Sequence, residues 1–141
     1  ERDAFRRQVM EEGDTGDHFQ NDVTVTDALD GLAMDLAPAY GSVPGLGRYR
    51  RSVHLTDTGL TLRDETDYPG TVALTLMSVE KPVISGACVH LGTLAEVKTD
   101  GAAKILVESV PITDARLRQA WPDTLYRTRV YFCGTLSVEV W

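Results

Sequence analysis

Arginine carries the most suggestive spacing in this sequence. Arg48, Arg50 and Arg51 follow a glycine-rich loop, Arg116 and Arg118 lie in a short polar segment, and Arg127 and Arg129 alternate. A guanidinium grips carboxylates and sulfates through two parallel hydrogen bonds. With Tyr40, Tyr49, Tyr126 and Tyr131 close by in sequence, these residues describe an anionic-sugar surface. Arg48, Arg50 and Tyr40 are its candidate contacts. The plainer expectation is that alternate arginines form the wet face of a sheet and pair with Asp and Glu. Arg51 is the exception, because strand register puts it on the apolar face. There it is expected to enter a buried or interfacial ion pair.

Other chemistry-bearing residues are scattered. His18, His54 and His90 make a metal site only if the fold gathers them, and nothing in their spacing demands it. Asp64, Glu65 and Asp67 cluster at a strand end, and Asp14 and Asp17 at a turn. Sugar hydrolysis needs two carboxyl groups at a set separation, but acids in such places are usually turn-formers and solvated caps. No P-loop, dinucleotide glycine fingerprint, HExxH or GxSxG segment occurs,. No catalytic residue, metal or cofactor is therefore expected on this chain. Cys88 and Cys133 are too far apart for a local metal knuckle,. They read as two ordinary thiols, with a single bridge between strands as the alternative.

The elements that must position these residues are strands. Period-two patterns fall at Asp22–Thr26, Leu32–Ala37, Arg48–Leu55, Leu60–Asp64, Val72–Val79, Ala87–Leu91, Leu94–Lys98, Lys104–Val110, Tyr126–Cys133 and Thr135–Val140,. Thr56–Gly59 turns one hairpin, and Thr99–Gly101 and Gly134 read as turns in others. The expected inward residues are Val23, Val25, Val53, Leu55, Leu60, Leu62, Leu74, Leu76, Ile105, Val107, Val130, Phe132, Leu136, Val138 and Val140. One short helix is expected at Thr113–Pro122, capped by Thr113, with Leu117 and Trp121 on one face. The pattern at Asp3–Glu12 fits a second short helix, with an edge strand through Gln8, Val9 and Met10 as the alternative,. The fold class is all-β: an antiparallel sandwich of nine or ten short strands with one short helix near the C-terminal end.

The 141 residues make one domain, and the net charge is −7. Residues 1–35 hold ten acids against three arginines, whereas the remainder is neutral. Residues 1–18 read as an acidic junction and residues 19–141 as the single β domain. Nucleic acid is not expected as a partner, since phosphate backbones call for clustered cations. A membrane partner is not expected either, because no apolar run is long enough to span a bilayer. No leader is visible, and Glu1 in place of Met points to a piece of a larger protein, which leaves the compartment open.

Several segments together resemble a family. Met34–Gly41 (MDLAPAYG), a glycine-rich gap, Arg48–Arg51 and Leu60–Asp64 (LTLRD) come in that order. Ala73–Pro82 (ALTLMSVEKP), Ile112–Leu117, Trp121 and Leu125–Arg127 follow. This series, from about Phe19 to Trp141, resembles the C-terminal β region of heparinase II/III-like polysaccharide lyases. Such lyases join an α/α toroid to an antiparallel β-sandwich and cleave uronate-containing polysaccharides by β-elimination. The resemblance implies an upstream toroid and β region of the same polypeptide as partner, and an anionic polysaccharide as the parent's substrate. The family's catalytic Tyr lies on the toroid and its catalytic His earlier in the β region, so neither is carried over here. Tyr40, Arg51, Asp64 and Trp121 match the pattern, and the resemblance implies structural roles for them within the sandwich.

Overall fold

A computed structural model describes residues 24–28, 31–41 and 43–141. The acidic junction, the Asp3–Glu12 helix, His18 and Val23 lie outside the described residues. Among those described, all extended segments join one antiparallel sheet. The strands are β1 (Thr24–Ala28), β2 (Gly31–Asp35), β3 (Tyr49–Thr56), β4 (Gly59–Thr66), β5 (Val72–Ser78), β6 (Val83–Ser85), β7 (Cys88–His90), β8 (Glu96–Pro111) and β9 (Thr124–Val140). Their order is β1-β2-β3-β4-β9-β8-β7-β6, with β5 also on β9. No described helix is long and apolar enough to cross a membrane.

The sheet is organised around β9. On one edge it pairs with β8 nearly throughout, from Val97↔Val140 to Pro111↔Thr124. On the other edge two strands lie end to end. β4 takes Thr135–Val140, and β5 takes Tyr126–Phe132. The β8–β9 register slips between Asp100 and Ala102 and again between Ala102 and Lys104. Gly101 and Gly134 both have positive φ there, 91° and 73°. Extra residues in an antiparallel ladder bulge and bend it without ending it. The connection from β4 to β5 falls at the same level, so all three lanes break together.

Even-numbered positions of β9 face inward on both sides of that break. Val130 and Phe132 lie before it, Leu136 and Val138 after it, and all four are buried. Leu74 of β5, Val89 of β7 and Val97 of β8 complete the buried cluster, and Leu62, Val72, Leu76, Ile105 and Val140 pack against it. Both halves of the bent sheet thus feed one core.

Four expectations need correcting. The two strands expected at Leu94–Lys98 and Lys104–Val110 are one strand, and so are those at Tyr126–Cys133 and Thr135–Val140. Glycine with positive φ serves a bulge as readily as a turn, and the sequence does not separate the two. Leu55 belongs to the expected inward set but is 68% exposed. Its partner Leu60 already faces Val140 at the end of β9, so Leu55 overhangs the core. β6, only three residues between Pro82 and Gly86, escapes the periodicity altogether. The expected helix is a 3-10 turn at Leu117–Gln119. Asp114, not Thr113, caps it by accepting the amides of Arg116 and Leu117.

The two bulge glycines should respond differently to alanine. A Cβ at Gly134 meets nothing, so Gly134→Ala costs only the left-handed conformation, about 1–2 kcal/mol,. At Gly101 the Cβ also runs into the carbonyl oxygen of Thr135. Urea unfolding should therefore show a larger loss for Gly101→Ala than for Gly134→Ala.

Candidate functional site

The Thr56–Gly59 turn fixes how β3 faces β4, and it sets Arg51 opposite Asp64. Both point to the inner face. Asp64 is fully buried, and three donors converge on it. The Arg51 Nε and Nη2 groups each donate at 2.7 Å, one to each carboxylate oxygen. The Tyr49 hydroxyl, two residues before Arg51 on the same face, donates to Oδ2 at 2.8 Å. This is the bidentate geometry that makes a buried pair favourable enough to offset its desolvation. Tyr40 stacks on Tyr49 with ring centroids 6.1 Å apart. Burial raises the Tyr49 phenol well above its ordinary pKa, and the Asp64 charge and hydrogen bond push it the same way.

Beside this trio lies a cleft of about 460 Å³. Its floor carries Tyr49 and Arg51. One wall is the connection from β2 to β3, through Leu36, Tyr40 and Val43, and the other is Tyr68 with Thr71–Thr75. The volume falls within the range of ligand pockets. The connection is held by short local bonds. Asp35 accepts the Ala37 amide at 3.1 Å, Pro38 starts the 3-10 turn Ala37–Tyr40, and the Leu36 amide donates to the Tyr49 carbonyl at 2.6 Å. Asp67, on the opposite wall's stem, accepts the amides of Gly47 and Arg48 at 2.9 and 2.8 Å. Those donors hold its carboxyl below the usual range. The two walls are thereby tied together at their base.

The candidate sugar contacts are not brought together. Tyr40 sits at the cleft on the inner side. Arg50 is exposed on the other face of β3, in register between Asp35 of β2 and Glu65 of β4. Arg48 is exposed, with its amide committed to Asp67. Arg51 and Asp64 do meet, in the pair described above. Trp121, expected within the sandwich, is 50% exposed beyond the 3-10 turn. The other arginines largely find acids: Arg63 pairs with Glu65 at 3.1 Å, and Arg118 with Asp123. Arg127 and Arg129 both reach Glu108, at 2.8 and 3.2 Å. His54 is exposed on β3, and His90 lies 3.3 Å from Glu96. No three metal-ligating side chains cluster among the described residues. Cys88 and Cys133 are free thiols.

Sequence reasoning missed Tyr49 as the third member of the trio and missed the cleft entirely. The first was within reach, since Tyr49 and Arg51 share a face. The second depends on a loop path that no periodicity encodes. No protein-family model matches the chain, and no curated protein matches it.

Removing Asp64 leaves Arg51 with an uncompensated, largely buried charge. Asp64→Ala should lower unfolding free energy by about 3–5 kcal/mol, and joint replacement by Arg51→Met and Asp64→Leu by far less. Chemical denaturation of the three proteins checks both. Tyr49 predicts a second effect. Unfolded chains lose tyrosine protons near pH 10, whereas native Tyr49 keeps its own. Its contribution to stability is thus complete below that pH and is lost as the pH rises beyond it. In an absorbance titration, Tyr49→Phe should remove a late phenolate step.

Proposed function

We propose that this chain is the C-terminal β-sandwich domain of a heparinase II/III-like polysaccharide lyase, with a structural and docking role and no catalytic site of its own. The observation that carries this reading is the Tyr49–Arg51–Asp64 trio. Two positions that match the family pattern, Arg51 and Asp64, form a buried ion pair with one another. A general base must keep a free hydrogen-bonding position toward substrate, and Asp64 is wholly enclosed by its own donors. The single core drawn from both halves of the bent sheet supports the sandwich description. On this reading the partner is the upstream toroid and β region of the parent, which cleaves uronate-containing polysaccharide by β-elimination.

A second reading, a carbohydrate-binding module for anionic polysaccharide, is favoured by one specific surface. On the outer face of the β5–β9–β8 half, Arg127 and Arg129 share the single carboxylate of Glu108, and Lys104 lies two rows further along β8. Tyr131 lies in the same row as Lys104, and its hydroxyl accepts from Arg129 at 3.2 Å. This patch is net positive on a chain of charge −7. It carries the local charge that Arg50, flanked by carboxylates, lacks.

The two readings separate on immobilised heparan sulfate, chondroitin sulfate and alginate at low salt. The docking reading expects neither retention nor unsaturated uronate product. Salt-sensitive retention that is lost in Arg127→Ala with Arg129→Ala would select the binding module instead. Product formation by the purified chain would reject both.

A further inference from the structure

The cleft beside β5 has a feature that sugar-binding surfaces do not need. Five consecutive residues, Thr71–Thr75, line it. Successive strand side chains point to opposite faces, so a cavity lying against a face touches alternate residues. One that touches every residue in turn runs along the strand's edge. β5 is hydrogen-bonded to β9 on its other edge, and no described strand pairs with it on this one. The topology explains the gap. β4 and β5 share one edge of β9, and β3 continues the sheet beyond β4. β3 begins only at Tyr49, opposite Thr66. The chain that leads into it swings away as the loop carrying Tyr40 and Val43. The lane outside β5, in line with β3, is the cleft.

We infer that this cleft binds an extended, uncharged peptide segment of a partner protein, which adds itself to the sheet along the edge of β5 that no described strand occupies. Edge addition of this kind draws affinity from main-chain hydrogen bonds and specificity from pockets for alternate side chains. The cleft offers both. Thr71–Thr75 spans about 17 Å, enough for a strand of four or five residues. Tyr40, Val43 and Leu36 on the facing wall present apolar surface to side chains of the incoming strand. Arg51 has donors to spare, because a guanidinium has five N–H groups. Asp64 and Tyr49 engage only those on Nε and Nη2, which leaves Nη1 for a peptide carbonyl. Because Asp64 already neutralises Arg51, the site has no net charge to reward an ionised ligand. That decides for an uncharged segment over an acidic one. The Asp67 tie between the walls means the slot exists before the peptide arrives, which lowers the ordering cost of binding. The inference goes beyond the lyase reading and does not depend on it.

The test is selection of a displayed library of random hexapeptides on the intact chain, followed by amide hydrogen exchange with the synthetic, end-capped winners. The expected winners are uncharged, with alternate apolar side chains, and their binding slows exchange within Val72–Leu76. Val43→Asp, which puts a charge on the facing wall and leaves the edge alone, should weaken binding at least about tenfold, as loss of an anchoring contact does. Tyr40→Ala, at a half-exposed ring, provides a second variant that spares the core. N-methylation of alternate peptide residues should abolish binding by removing the donors that pair with the edge. Failure to enrich any peptide, or winners that leave exchange of Val72–Leu76 unchanged, would overturn the inference. So would protection of those amides by heparan sulfate or alginate fragments in place of peptide. Protection that rises with protein concentration in the absence of peptide would assign the edge to a second copy of the chain, and would overturn it too.

Discussion

Burying the middle of a sheet requires that every amide and carbonyl there find a partner, and β9 is where this chain meets that constraint. Val130, Phe132, Leu136 and Val138 are its innermost side chains. They can lie inside only because both edges of their backbone are hydrogen-bonded. β8 serves one edge along both halves, while β4 and β5 divide the other. The division has a structural effect. Because β4 and β5 are separate strands, the sheet can crease between them, at the level of Gly101 and Gly134. The crease lets side chains before and after it meet in one core.

The same crease decides where the polar residues gather. β3 follows β4 and stops where β5 begins, so its first residues, Tyr49 and Arg51, come to rest at the corner. Asp64 faces them from β4, and Asp67 reaches back from the connection to hold the incoming loop. The buried charges of Arg51 and Asp64 cancel one another. What remains distinctive is geometric: an edge of β5 that no described strand pairs with, and a cationic patch on the outer face of the same half. The functional readings differ in which of these they use.

Much of this was legible from the residues. The two-residue turn at Asp57–Thr58, flanked by alternating hydrophobics, sets the β3–β4 register, and with it the meeting of Arg51 and Asp64. The inward faces of β5 and β9 follow from period two. What was hidden has identifiable causes. Gly101 and Gly134 look like turns because positive φ serves turns and bulges alike, and only long-range pairing distinguishes them. Leu55 alternates correctly yet lies outside, since periodicity assigns a face but not how far the core extends along it. Trp121 carries a large apolar area, but its 3-10 turn is anchored locally by Asp114 and never reaches the sheet. Tyr40, Arg48 and Arg50 are near neighbours in sequence, and the plane of the sheet comes between Tyr40 and Arg50.

The position of β9 in the chain also bears on how the protein comes into being. Leu60 must wait for Val140, and Val72 for Phe132. On a ribosome β4, β5 and β8 all emerge before the strand that joins them. Until it appears, the hairpin of β3 and β4 has no core to cover, and β5 has no partner among the described strands. Contacts so distant in sequence close slowly, and exposed strand edges are sticky in the interval. The last strand to be made is thus the one on which the closing of every apolar face waits.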